Sequence, residues 1–305
     1  MTLKAVALMG ATGAGKSALA MRAAQAFDGC IISCDSMQLY RGLDIGTAKP
    51  SKEEQGMVRH HLIDCAELSE TWSAARWADA AAEIIADENS KGKVPLIVGG
   101  TGMYLRALTE GFADIPAEKP EVREALLSLQ KEHGTPHLHA MLREVDPVTA
   151  ERLHETDTQR IMRALGVFQS SGTPLSVWQA EGTSDRNVEC PVVVLEVERE
   201  VLRERIADRF HAMLEAGWLD ETRWLDSQNP DEMHPAVRAV GYRQLLSHLH
   251  GECSLDDAVR DGITATRRYA KRQQTWFRNQ TPDATFGDAD SSFETLKKLF
   301  KESDD

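Results

Sequence analysis

An α/β fold is predicted, a parallel sheet flanked by helices with an inserted all-helical domain, and three observations carry it. A short apolar run, Ala5 to Met9, leads directly into Gly10-Ala11-Thr12-Gly13-Ala14-Gly15-Lys16-Ser17 and then into a stretch rich in Ala, Leu and Met. Short apolar runs and helical patterns continue to alternate through the first third of the chain. From Pro120 to about Ala180 no strand-like run occurs, yet a β-branched run returns at Pro191 to Val197.

Taken in order, Ala5 to Met9 reads as a buried strand, and Ser17 to Phe27 as a helix whose N-terminal dipole faces the loop before it. Between them lies a GxxxxGK[ST] pattern. Its glycines let the backbone curl until consecutive N–H groups point at an anion; Lys16 adds a charge toward the terminal phosphate, and Ser17 offers a hydroxyl to Mg²⁺. The loop predicts a diphosphate or triphosphate ligand on a P-loop NTPase-like sheet, without specifying ATP. Cys30 to Cys34 resembles a second strand. Thr71 to Asn89 is an amphipathic helical stretch with Trp72, Ala75, Ala78, Ala82 and Ile85 spaced for one face. Val94 to Val98 is another buried strand, followed by Gly99-Gly100-Thr101-Gly102 and a helical pattern from Met103 to Leu108. Ile115-Pro116 and Lys119-Pro120 break the pattern. Residues 116–186 then read as a helical domain inserted into a core made of residues 1–115 and 187–282. Pro191 to Val197 supplies the last strand of the sheet, and the chain is helical again to about Arg278. Residues 283–305 are acidic and polar enough to predict a partly disordered tail.

The chain of 305 residues, 42% hydrophobic and 27% charged, has the composition of a soluble globular protein with ample length for a core. It has no apolar run long enough to span a membrane and no signal-peptide pattern. The five cysteines include no CxxC pair and form no closed disulfide framework, so reduced thiols in a cytoplasmic protein are expected and a zinc site is not. A formal net charge of −13 argues against a nucleic-acid partner. Its distribution qualifies that: residues 259–280 hold six Arg or Lys against one acid, a stripe compatible with a nucleic-acid contact of limited area.

Asp35 follows the second strand on the sheet edge where open α/β folds bind ligands. A carboxylate there can hold Mg²⁺, orient a nucleophile, accept a proton, or simply cap a turn. Thr101 puts a hydroxyl at a third point on that rim, in what is equally readable as a tight strand–helix turn. His60-His61 suggests a strand edge; adjacent strand residues point to opposite faces, which makes them poor joint metal ligands. Gln159, Arg160 and Arg163 share one face of an inserted helix, and Arg267/Lys271 and Arg268/Arg272 form i,i+4 pairs in the last helix. Such stripes are either solvated faces or phosphate-backbone contacts.

The combination is more specific than its parts. Asp35-Ser36-x-Gln38-x-Tyr40-Arg41-x-x-Asp44-Ile45-Gly46-Thr47-Ala48-Lys49-Pro50, His60-His61-Leu62 and Gly99-Gly100-Thr101-Gly102-x-Tyr104-Leu105 closely resemble the bacterial tRNA dimethylallyltransferase (tRNA isopentenyltransferase) family. The resemblance continues through Gln159-Arg160-x-x-Arg163-Ala164-Leu165, Arg209-x-x-x-Met213, Gly241-Tyr242-Arg243-Gln244 and Thr266-Arg267-x-Tyr269-Ala270-Lys271-Arg272-Gln273. It spans nearly the whole chain to Arg278. The departures lie in the phosphate loop, where the family commonly has Pro, Ala and Ser at the positions of Ala11, Gly13 and Ala14.

The resemblance implies transfer of a dimethylallyl group from dimethylallyl diphosphate to N6 of adenine 37, beside the anticodon of tRNA, with release of diphosphate. It implies that residues Gly10, Ala11, Thr12, Gly13, Ala14, Gly15, Lys16 and Ser17 hold the diphosphate with Mg²⁺ on Ser17, and that Thr101 and Arg209 assist. Asp35 is then the base that takes the N6 proton. It further implies tRNA contacts from Asp35, Ser36, Met37 and Gln38, from Gln159, Arg160, Ile161, Met162 and Arg163, from Arg238, Gly241, Tyr242 and Arg243, and from Arg267, Lys271 and Arg272. The target base has to leave the anticodon-loop stack. A cytoplasmic monomer that binds the anticodon stem-loop and no membrane is the expectation. The alternatives are a P-loop small-molecule kinase, a dimethylallyltransferase acting on free AMP, and a non-catalytic RNA-binding protein that keeps a vestigial phosphate loop.

Overall fold

The computed structural model describes residues 2–111, 113, 115–116, 118–180 and 187–303. The chain divides into two compact units, residues 1–109 with 187–305 and residues 110–186. The first begins with β1 (Leu3–Lys4), β2 (Val6–Gly10), α1 (Lys16–Ala26), β3 (Ile31–Cys34), α2 (Lys52–Met57), β4 (His60–His61), α3 (Ala74–Ser90), β5 (Leu96–Gly99) and α4 (Gly102–Thr109). The second unit is α5 (Pro120–His133), α6 (Thr135–Val145), α7 (Pro147–Arg152), α8 (Thr158–Ser171) and α9 (Leu175–Ala180). The first then resumes with β6 (Val188–Glu189), β7 (Val192–Leu195), α10 (Arg199–Glu215), α11 (Trp218–Ser227), α12 (Pro235–Arg238), α13 (Tyr242–Leu249), α14 (Leu255–Gln280), β8 (Thr285–Gly287) and α15 (Ala289–Ser303).

Six strands form a parallel sheet in the order β4-β3-β5-β2-β7-β8. β2 lies inside it, with Leu8 opposite both Val98 of β5 and Val193 of β7, and all five of its residues are buried. That explains its unbroken apolar run: a strand covered on both faces has no polar alternation. Because every strand runs the same way, the loops after β2, β3 and β5 leave by one edge, and the site is assembled there. β1 and β6 add a separate two-stranded parallel sheet, Leu3 opposite Val188, which the sequence reading did not include. Among the described residues no helix is long and apolar enough to cross a membrane.

Four expectations need correction. Residues 285–303 are ordered: β8 pairs parallel with β7, so the last strand of the sheet comes from the tail and Val192–Leu195 is internal. The tail's acids conceal an apolar stripe, Phe293, Leu296 and Phe300. Leu296 and Phe300 are buried in the core cluster with Leu19 and Ala23 of α1, and Phe27 stacks on Phe300 at 4.9 Å. In α3 the buried face is Trp77, Ala78, Ala81 and Ile85, offset from the face expected around Trp72 and Ala75. Trp77 sets that register, its indole N–H donating to Ser33 O at 3.0 Å. The second unit begins at residue 110 rather than 116. Its core gathers Leu126, Leu138, Leu142, Ile161 and Leu165.

Candidate active site

The phosphate loop takes the shape that its glycines permit. Gly13 (φ +81°) and Gly15 (φ +98°) occupy left-handed conformations that side chains resist, and α1 starts at Lys16 immediately after them. Lys16 folds back so that Nζ donates to Ala11 O at 2.7 Å. Burial pushes its ammonium down to about 8; Asp35 pulls the other way, and Arg209 lowers it further.

Two helices far along the chain close over this loop. On α10, Arg205 and Arg209 are one turn apart and so share a face. Arg205 Nη1 donates to Ala14 O, and Arg209 Nη2 donates to Thr12 Oγ1, each at 3.4 Å. On α14, Tyr269 and Gln273 have the same spacing. The Gln273 amide joins two loops, accepting from Thr12 N–H and donating to Gly100 O, both at 2.9 Å. Burial pushes the Tyr269 phenol up to about 12, with the Asp35 charge adding to it.

Asp35 leaves the end of β3 at this rim, and its carboxylate accepts from Met37 N–H at 2.8 Å. The Thr101 hydroxyl accepts from Ser36 N–H at 3.2 Å, tying the loop after β5 to the loop after β3. Gly99 can be nothing larger, because a Cβ there would lie 2.0 Å from Cys34 O.

Two cavities meet at Asp35. One, of about 500 Å³, is lined by the phosphate loop, Lys16, Ser17, Asp35, Gln38, Gly100, Asp208 and Arg209. The other, of about 360 Å³, is lined by Met37, Phe210, Met213, Trp218 and Tyr242, with Arg238 and Arg272 among its polar groups. Thr12, Gly13, Asp35, Thr47, Arg209 and Tyr269 line both. A chamber lined by the glycine-rich loop thus joins an aromatic one, with one carboxylate and one guanidinium at the junction.

The loop at residues 44–50, an ordinary loop when read alone, forms a shared wall through Thr47. Glu221 of α11 holds it by accepting from the N–H groups of Asp44 (2.7 Å), Ile45 (2.7 Å) and Gly46 (2.9 Å), while Tyr242 Oη donates to the same carboxylate at 2.5 Å. Lys49, buried below, donates to Tyr40 O and to the carboxylates of Asp44 and Asp64.

The sequence-derived residues therefore divide. Thr12, Gly13, Gly15, Lys16, Ser17, Asp35, Met37 and Arg209 come together at the two cavities, with Arg238 and Arg272 at the second, whereas Gly10 and Ala11 are buried beneath and Ala14 lines a separate groove between α10 and α14. Thr101 is engaged with the Asp35 loop. The Gln38 amide is occupied by Ser33, Thr47 and Ala48. Tyr242 is a buried pillar, and Gly241 (φ +92°) lies against the ring of Trp218. Arg243 is exposed, and Arg267 and Lys271 line the same groove as Ala14. In the second unit Gln159, Arg160 and Arg163 are exposed on α8, with Arg160 paired to the N-cap Asp157. Ile161 and Met162 belong to that unit's core, so their side chains are not a surface for RNA.

Sequence reasoning gave no role to Arg205, Gln273, Tyr269 or Glu221. The first three had a signal in the i,i+4 spacing with Arg209 and within the Tyr269–Gln273 motif. Glu221 had none, since its partners are backbone N–H groups remote in sequence.

The model of the IPP transferase family matches residues 38–280 of the chain. A tRNA dimethylallyltransferase of Syntrophobacter fumaroxidans is 43% identical over 304 residues, 99% of this chain and 89% of that one. A solved tRNA isopentenylpyrophosphate transferase from Bacillus halodurans superposes with a TM-score of 0.69 at 34% identity, covering 99% of this chain and 98% of that one. A eukaryotic dimethylallyltransferase captured acting on tRNA gives a TM-score of 0.75 at 28% identity, covering 94% of this chain and 74% of that one.

Proposed function

The chain belongs to the IPP transferase family, and from that premise we propose that it transfers a dimethylallyl group from dimethylallyl diphosphate to N6 of adenine 37 in tRNA. The observation that carries the reading is the meeting of the two cavities at Asp35. A kinase needs a phosphate chamber opening toward a phosphoryl acceptor. Here the phosphate chamber opens onto an aromatic, arginine-edged space that suits a flipped base.

The diphosphate lies in the larger cavity against the backbone N–H groups of residues 13 and 15–17, Lys16 and Arg209. The adenine enters the smaller one and brings N6 to Asp35. The amine attacks C1 of the dimethylallyl group as the C1–O bond breaks, and the bonding pair leaves with the diphosphate. Asp35 takes the N6 proton. Lys16 and Arg209 stand beside the oxygens on which charge develops, and turning from Ala11 O and Thr12 to those oxygens lets them stabilise the departing diphosphate. An exocyclic amine is a weak nucleophile, so orientation and the adjacent base carry much of the remaining acceleration.

The donor set also fits Mg²⁺: the Ser17 hydroxyl and the ligand's own phosphate oxygens are hard oxygen donors, and Asp35 and Asp208 line the same cavity. When bound, the ion neutralises charge on the departing diphosphate. The arginines of α8, α12 and α14 supply cations for the anticodon stem-loop, and a monomer suffices because the groups named for the reaction come from one chain.

Radiolabelled dimethylallyl diphosphate and Mg²⁺ are supplied with tRNA or with AMP, and labelled ATP is run in parallel. Label should enter tRNA alone. Asp35→Ala should lower transfer by about 10²-fold or more while donor binding persists. Transfer to AMP or of the ATP γ-phosphate overturns the reading, and an active Asp35→Ala enzyme removes Asp35 as the base.

A further inference from the structure

The two histidines of β4 serve different places. His60 lines the phosphate cavity, and His61, one residue on, faces the other side of the sheet. Pairing sets His61 opposite Ile32 of β3, and Cys30, two residues before Ile32, shares its face. Glu88, in the last turn of α3, reaches the same spot. One ligand atom from each of Cys30, His61 and Glu88 lies within 4.8 Å of the other two. Cys30 is 4% exposed and Glu88 3%.

The site holds an unmet demand. His61 Nε2 is shut away from solvent without a hydrogen-bond partner, an arrangement that costs free energy unless something supplies a contact. The two cations beside Glu88 do not supply it: Lys91 Nζ, at 3.0 Å, and Arg59 Nη1, at 3.8 Å, both address Oε1 of the carboxylate.

We propose that Cys30, His61 and Glu88 bind one divalent ion of the Zn²⁺ class, with water as the fourth ligand. Thiolate, imidazole and carboxylate together are a borderline-soft donor set suited to tetrahedral zinc. Bonds of about 2.0–2.3 Å would draw the three ligand atoms closer by roughly an ångström. Binding releases the thiol proton to solvent, and Lys91 remains on Glu88 as an outer partner orienting the carboxylate. Asp35 is five residues further along β3, about 16 Å away, so the ion acts on structure. It pins the start of β3 to the edge strand β4 and to the end of α3.

Full-length protein stripped with chelator and then given Co²⁺ should take up one equivalent and show a thiolate-to-cobalt charge-transfer band that Zn²⁺ abolishes. Cys30→Ser should lose the band. His61→Gln and Glu88→Gln should each weaken Zn²⁺ binding by about tenfold or more. Zn²⁺ should raise the thermal midpoint of the parent chain and leave that of Cys30→Ser unchanged. No thiolate band in the parent chain under excess Co²⁺ overturns the proposal, and so does a band that survives in Cys30→Ser.

Discussion

Lys16 shows how far one residue's surroundings set its chemistry. In water its ammonium would stay charged well above neutral pH; here burial against the loop brings it down to about 8. A bound diphosphate favours the protonated form, so above that value donor binding must take up a proton. Donor Kd should be flat below about pH 8 and rise by up to about tenfold per pH unit above it. In Lys16→Arg the guanidinium stays protonated and the rise should vanish. Calorimetric titration with dimethylallyl diphosphate across pH 7 to 10 measures both proteins, and a pH-dependent Kd that persists in Lys16→Arg would assign the titration elsewhere. Asp35 and Arg209 belong to the same electrostatic cluster, each acting on Lys16 from the junction of the cavities.

At the scale of elements, the loops after β2 and β5 and the 44–46 turn are held by helices remote in sequence. Gln273 of α14 links the loops after β2 and β5, Arg205 and Arg209 of α10 reach the phosphate loop, and Glu221 of α11 gathers three N–H groups of the 44–46 turn. Glu221 is the most testable. Glu221→Ala removes a charged acceptor from three backbone donors and from Tyr242, and should cost about 2 kcal/mol in urea unfolding. Because Gly46 and Tyr242, both held by Glu221, line only the smaller cavity, KM for the acceptor tRNA should rise more than KM for the donor. Equal effects on the two would separate the clamp from the acceptor cavity. Legibility followed the same division: β2, β3, β5 and α1 were readable because apolar run and helical period are local properties. The partners of Asp44 to Gly46 were not, since backbone N–H groups look alike at every position.

Across the whole molecule, the acidic terminus is the edge of the sheet. β8 extends it beyond β7, and α15 packs Leu296 and Phe300 into the core. A disordered tail could be removed freely; this one could not. Leu296→Ala should cost about 2–4 kcal/mol, read from the denaturation midpoint. A chain ended after Pro282 should fail to fold, because β7 loses its neighbour and the α1 face its cover. Parent-like stability of either variant would restore the tail to the surface. Composition misled here because seven acids dominate the segment's character, while only its spacing of Phe293, Leu296 and Phe300 records the buried face.

By itself the sequence determined the α/β class, the curled glycine-rich loop before α1, the helical insertion and, through ordered motifs, the family and its reaction. These rest on local chemistry, on the glycines that a curled loop needs and the period that a helix needs, and local chemistry is written in consecutive residues. Tertiary structure alone decided that Asp35 stands where two cavities meet and that Gln38 and Tyr242 hold the frame. It also decided that Ile161 and Met162 face a core and that His61 meets Cys30 and Glu88 across the sheet. Those outcomes depend on strand order and on which helix closes over which loop, and that is set by packing between segments far apart along the chain.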